Sequence, residues 1–222
     1  MNKILYEDDQ LMVVYKPAGL ATQTKSLREK DLVDELKSHL GGNVYLGVVH
    51  RLDQPVEGLL VFAKTAQAAR ELTRQLGDSV LNKSYLAVVY LEQEDRDKEG
   101  VLEDFLIKDG RTNTSRIGTK DEPDAKYARL NYEIQKKIGK RALVKIEIHT
   151  GRHHQIRVQM AAAGRPLLGD SRYGSEASRE ESARWGVRNV ALCADRITFR
   201  HPVTRKQMEF SILPEQEIYQ KF

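Results

Sequence analysis

At 222 residues, 40% of them hydrophobic, the chain can bury one full-sized core, and its composition excludes a disordered or fibrous protein. Its single cysteine, Cys193, excludes an intrachain disulfide and a thiolate metal cage, and no apolar run approaches the roughly 20 residues that span a bilayer. The net charge of +4 matters less than its distribution: from Gly139 to Gly174 seven cations (Lys140, Arg141, Lys145, Arg152, Arg157, Arg165, Arg172) face two acids, Glu147 and Asp170. A basic segment inside a balanced chain fits a polyanion-facing surface or a solvated face equally well. With no stretch that reads as a secretory leader, the chain is expected in the cytoplasm, as one domain over residues 1–222.

In chain order, "LMVVY" from Leu11 and "VYLGVV" from Val44 read as short buried strands. Between them "SLREKDLVDELKSHLGG" reads as a helix, with Ser26 and Glu29 as a capping box, Leu32, Val33, Leu36 and Leu40 on one stripe, and Gly41 as its end. "LLVFA" from Leu59 is a further strand, followed by a helix with Thr65 as N-cap, Ala68, Leu72 and Leu76 as its stripe, and Gly77 as its stop. "SYLAVVYL" from Ser84 is a strand, and "ALVKIEIHT" alternates so that Ala142, Val144, Ile146 and Ile148 face a core. "HHQIRVQMAAAG" carries a helical face of Ile156, Met160 and Ala163 that ends at Gly164, and "VALCADRITF" and "QMEFSIL" flank the turn "RHPVTRK". With few strand-helix-strand units, this order favours an α+β fold over a doubly wound sheet.

Asp53 stands where the strand "LGVV" gives way to a loop that Pro55 and Gly58 force to turn. A strand end fixes such a group while the turn exposes it, although a lone Asp-x-Pro more often caps its own turn amides. Arg51, two positions earlier, lies on the same side as Asp53, and Glu57 follows as a second acid, so a two-carboxylate hydrolase using Asp53 and Glu57 is one alternative. In "TGRHHQIR", His153 and His154 are adjacent and diverge around a helix axis, and His149 and His153 straddle Thr150-Gly151, so metal binding is disfavoured against anion contact at a helix start. Arg157 borders the apolar face of Ile156 and Met160; a partly buried arginine needs a carboxylate, and the chain offers Asp53. Tyr85, in "NKSYLAVV", reads as core packing or as a ring for a base to stack on.

Together, "VVYKPAGLATQ", "HRLDQPVEGLLVFAKT", "KSYLAVV", "GRHHQIRVQMAAAGRPLLGDSRYG" and "FRHPVTRKQMEF" resemble, in order and spacing, the RluA-type RNA pseudouridine synthases, from about Val13 to Phe210. The resemblance implies a mixed, largely antiparallel sheet core with flanking helices and a central catalytic cleft. It implies isomerisation of specific uridines in rRNA or tRNA by base flipping, with no cofactor, no metal and no membrane, by a monomer comprising the catalytic domain without the S4 RNA-binding domain that members often carry. By the same resemblance Asp53 is the catalytic nucleophile, Arg51 displaces the flipped base, Tyr85 lies against the target uracil, and Arg157 pairs with Asp53. Two departures bear on substrate preference: Val56-Glu57-Gly58 stands where members usually have Thr-Ser-Gly, and His153 stands where Thr usually precedes the HQIR motif. A catalytically silent RNA-binding protein is the remaining alternative.

Overall fold

The computed structural model describes residues 3–24, 29–93 and 98–222. In chain order the elements are β1 (Ile4–Glu7), β2 (Leu11–Lys16), α1 (Leu32–His39), β3 (Gly47–Val48), β4 (Glu57–Ala63), α2 (Ala66–Gly77), β5 (Asn82–Tyr90), β6 (Glu99–Asp109), β7 (Thr114–Gly118), β8 (Lys126–Ile138), β9 (Arg141–Ile148), α3 (Gln155–Ala162), α4 (Glu176–Arg184), β10 (Leu192–Arg200) and β11 (Gln207–Ser211), with a short 3-10 helix at Glu217–Lys221. They group into two compact units, Met1–Lys83 with Cys193–Glu215, and Ser84–Leu192 with Gln216–Phe222.

In the first unit the strand order is β1-β2-β4-β10, with β3 also paired to β4 and β11 to β10. All pairs are antiparallel except β4 with β10, which run parallel through Glu57↔Cys193 and Gly58↔Ala194. Every residue of β2 and of β4 is buried, which is why "LMVVY" and "LLVFA" within them read as unbroken apolar runs rather than alternating ones. Leu11, Val13, Leu59 and Val61 meet Ala68 and Leu72 of α2 and Ile197 and Phe199 of β10 in one core. Helix α2 starts as its sequence predicts, with the Thr65 hydroxyl accepting from the Ala68 N–H at 3.1 Å. Helix α1 does not. Its N-cap is Asp31, whose carboxylate accepts from the Asp34 N–H at 2.9 Å, and the Ser26 of the expected capping box lies outside the described residues. The strand expected from Val44 contracts to two residues, Gly47–Val48.

Gly58 is where the parallel pairing is tightest. Its φ of +131° belongs to a region open almost only to glycine, and a Cβ there would lie 2.4 Å from the Ala194 nitrogen and 2.6 Å from its oxygen. Gly58→Ala adds backbone strain to a clash with main chain that cannot rotate away, so a loss of roughly 2–6 kcal/mol is expected. A urea unfolding midpoint equal to that of the wild type would show that β4 and β10 can separate at no cost.

The second unit has the order β5-β9-β8-β6-β7, antiparallel throughout. Ala142, Val144 and Ile146 of β9 are buried, as their alternation predicts, and Ala128, Leu130, Tyr132 and Ile134 of β8 do the same on the neighbouring strand. Helix α3 lies against β6 and β7, where Val158 packs on Leu106 and Ala128. Its residues Gln155 to Met160 are all buried, so it has no solvent-facing side over that stretch. Strands β1, β6, β7 and β8 and helix α4 are additions to the elements expected from sequence. The result is an α+β fold with a mixed, largely antiparallel strand arrangement, as expected.

Candidate functional site

Asp53 sits in the irregular segment between β3 and β4, half-buried, while Arg51 is exposed. The turn after it is closed by the Val56 N–H donating to the Asp53 carbonyl at 3.0 Å. Both flanks of Asp53 are pinned to the loop that follows β2. The Thr22 hydroxyl donates to the Leu52 carbonyl at 2.9 Å and accepts from the Leu52 N–H at 3.2 Å. On the other side the Gly19 N–H donates to the Gln54 carbonyl at 2.8 Å, and the Gln54 amide donates back to the Gly19 carbonyl at 3.1 Å. A carboxylate on an otherwise irregular segment is thereby held as firmly as one on a strand, which is the condition for a positioned nucleophile.

The third clamp on this loop is Lys16, the last residue of β2, with no exposed surface. Its ammonium donates to the carbonyls of Pro17 (2.9 Å), Leu20 (2.6 Å) and Gln54 (3.1 Å), which accounts for all three of its protons. Burial lowers its pKa to about 8, against the opposing pull of the Asp53 and Glu57 carboxylates. Lys16 is a site residue that sequence reasoning missed; the available signal was a lysine ending a strand that is otherwise wholly apolar.

Glu57 is buried to 1% exposure at the start of β4. Its Oε2 accepts from the Tyr15 hydroxyl at 2.5 Å and from the Glu215 N–H at 3.1 Å. Burial, then the bond to Glu57, drives the Tyr15 hydroxyl far above its ordinary pKa, and burial does the same to the Cys193 thiol beside it. A carboxylate so enclosed and so engaged does not present itself to water, which removes the geometric basis of the two-carboxylate hydrolase.

In the second unit Tyr85 lies on β5 opposite Ile146 and is 5% exposed. Arg157 projects from α3 and makes a two-pronged ion pair with Asp170, Nε to Oδ2 at 2.7 Å and Nη2 to Oδ1 at 2.9 Å, with side chains 4% and 1% exposed. Asp170 also accepts from the N–H groups of Arg172 and Tyr173, and the Tyr173 ring stands 5.1 Å from the guanidinium. Burial alone would raise the Asp170 pKa, but the bonds and charge of Arg157 and the two amides outweigh it and hold it below the ordinary value. Asp170 was not foreseen as a site residue, although it is one of only two acids in the basic segment.

The adjacent histidines are built into this unit. Nδ1 of His153 lies 2.9 Å from the Ser115 hydroxyl, Nδ1 of His154 lies 2.7 Å from the Tyr173 hydroxyl, and the two rings stack at 3.7 Å. His154 takes a left-handed conformation, φ 53°, as the residue before α3. The basic segment is also less of a surface than its composition indicates. Arg157 pairs with buried Asp170 and Arg141 lies 3.3 Å from Glu181, and the exposed cations of the segment are Lys140, Arg152 and Arg172.

A family model described as RNA pseudouridylate synthase matches residues 10–162. The chain is 33% identical over 205 residues to ribosomal large subunit pseudouridine synthase C of Haemophilus ducreyi, covering 92% of this chain and 63% of that protein. It is 36% identical over 206 residues to ribosomal large subunit pseudouridine synthase D of Nitrosomonas europaea, covering 90% and 58%. With tRNA pseudouridine synthase C of Pasteurella multocida it shares 32% identity over 222 residues, covering 93% and 88%. The chain thus spans less than two thirds of the length of the first of these relatives. In fold it is similar to the human RNA pseudouridylate synthase domain containing 1, with a TM-score of 0.79 at 22% identity, covering 96% of this chain and 83% of that one. A family match over more than half of the chain, on a segment that contains the pinned Asp53 loop, Tyr85 and Arg157, means that the chain belongs to the RNA pseudouridylate synthase family.

Proposed function

We propose that the chain converts uridines in rRNA or tRNA to pseudouridine, with Asp53 as the nucleophile. The observation that carries this is the Asp53 loop, whose flanking residues Leu52 and Gln54 are fixed by Thr22, Gly19 and Lys16. The N1–C1′ bond of the uridine breaks, the uracil turns, and a C5–C1′ bond forms as the C5 hydrogen leaves as a proton and N1 takes one up. Substrate and product are isomers, so the reaction is redox-neutral and calls for no cofactor or metal. Asp53 enters by adding to the base or the sugar, or by removing a ribose proton. Arg51, exposed two residues before it, takes the place of the extruded base, Tyr85 packs on the uracil, and Arg157, set by Asp170, is the counter-charge to Asp53 during turnover. In this proposal the two units act as one catalytic domain, in the cytoplasm and as a monomer.

Pseudouridine mapping of total RNA from cells with and without the gene tests the proposal: one or a few positions should lose pseudouridine in its absence. Identical maps would overturn it. Tyr85 gives a second handle. Tyr85→Phe should bind RNA as the wild type does and lose only what the hydroxyl supplies, whereas Tyr85→Ala should lose roughly 1–3 kcal/mol of base contact in RNA affinity. If both variants bind and turn over like the wild type, Tyr85 is only core.

A further inference from the structure

Most ordered arginines of the second unit meet a carboxylate: Arg116 meets Glu122, Arg129 meets Glu103, Arg141 and Arg184 meet Glu181, and Arg157 meets Asp170. Arg152 and Arg172 are exposed and are held by backbone carbonyls instead, Arg152 Nε donating to Tyr127 at 2.8 Å and Arg172 Nη1 donating to Asn113 at 2.5 Å. Neither makes an ion pair with any described residue. A carbonyl fixes the direction of a guanidinium without cancelling its charge, and it leaves most N–H groups of the fork for another acceptor.

The two arginines are tied to each other and to Arg157. Oδ1 of Asp170 accepts from Arg157 Nη2 at 2.9 Å and from the Arg172 N–H at 3.0 Å. Asn113, which holds Arg172, is two residues from Ser115, whose hydroxyl lies 2.9 Å from Nδ1 of His153, the residue after Arg152. Lys108 pairs with Ser115 across the β6–β7 hairpin, is exposed, and makes no ion pair with any described residue. The register carries Tyr85, Ile146, Tyr132 and Gly100 across the sheet as direct partners, and alternation along β6 then puts Lys108 on the same face as Tyr85. The neighbouring acid, Asp109, turns its carboxylate to the tip amides of Arg111 and Thr112. Three cations without a carboxylate, grouped around the start of α3, fit a run of phosphates. Resting on the isomerase proposal, we infer that Lys108, Arg152 and Arg172 form an RNA-backbone subsite that takes phosphodiesters of the strand carrying the target uridine.

Binding of a fluorescein-labelled single-stranded oligouridylate to the full chain, measured against salt at pH 7, tests this. Lys108→Met, Arg152→Met and Arg172→Met should each flatten the slope of log K against log salt by about 0.7, and the triple variant should flatten it by about 2. Arg152→Lys and Arg172→Lys keep the charge and should keep the wild-type slope. Arg116→Met controls for loss of any exposed arginine from the same hairpin. Arg116 is already met by Glu122 and, one residue on from Ser115, lies on the opposite face, so its loss should leave the slope unchanged. Equal slopes for the wild type and the triple variant, or a flattening by Arg116→Met equal to that of Arg172→Met, would overturn the subsite while leaving the isomerase proposal standing. Failure of the wild type to bind the oligouridylate or cellular RNA would instead count against the isomerase proposal itself.

Discussion

Asp53→Asn should show no detectable turnover, a fall of roughly 10⁴-fold or more, while its RNA affinity stays within a few-fold of the wild type. The amide fills the same volume and leaves the backbone clamps at Leu52, Gln54 and Val56 untouched, since none of them uses the Asp53 side chain. What it removes is the charge and nucleophilicity of the carboxylate. Release of the uracil C5 hydrogen from RNA of the gene-deleted strain measures the first quantity, and titration with the same RNA measures the second. Residual turnover within tenfold of the wild type would remove Asp53 from the catalytic role. Loss of binding in parallel with turnover would mean that the carboxylate supports the loop instead.

Arg157→Met should cost about 3–5 kcal/mol of stability, because it strands the Asp170 carboxylate, 1% exposed, without its cation. Asp170→Asn should be costly too, and the double change Arg157→Met with Asp170→Leu should recover most of the loss, since an apolar pair leaves no charge unmatched. Acidification adds a signed test. The folded pKa of Asp170 is depressed, so the pair's contribution is complete above the ordinary aspartate value near 4 and is lost as pH falls through the folded value. In Arg157→Met, burial acts on Asp170 with only the Arg172 and Tyr173 amides against it, and the acid loss due to this group should shrink or reverse. Urea midpoints from pH 7 to 3 read this out. A stable Arg157→Met with an unchanged acid profile would show that the ion pair contributes nothing to folding. The folded double variant then isolates catalysis: if Arg157 serves Asp53, turnover stays low although stability has returned.

Much of the local structure was legible in the residues themselves. The Thr65 cap and the stripe of Ala68 and Leu72 depend on positions within two helical turns, and the alternation of Ala142, Val144 and Ile146 needs only one strand facing one core. The motifs carrying Asp53, Arg51, Tyr85 and Arg157 could be found without coordinates because their residue types and order are distinctive. Strand β8 was missed although Ala128, Leu130, Tyr132 and Ile134 alternate cleanly, because its exposed face carries Arg129 and Glu133 and its end runs into Lys136 and Lys137. The start of α1 was misplaced because Ser26 and Asp31 both satisfy the local rule for a cap, and only the observed bonds of Asp31 to Asp34 and Thr24 choose between them.

What the sequence determined by itself was the fold class, the family resemblance and the residues that could carry chemistry, since each of these depends on local period or on residue identity in order. What only the tertiary structure decided was which charges meet. Arg157 takes Asp170, Lys16 clamps the Gln54 carbonyl, and Glu57 is closed off by Tyr15 and Glu215. Sequence lists the donors and acceptors, but pairing energies depend on distance and desolvation, and neither exists until residues 13, 38, 42 and 158 positions apart have been folded together.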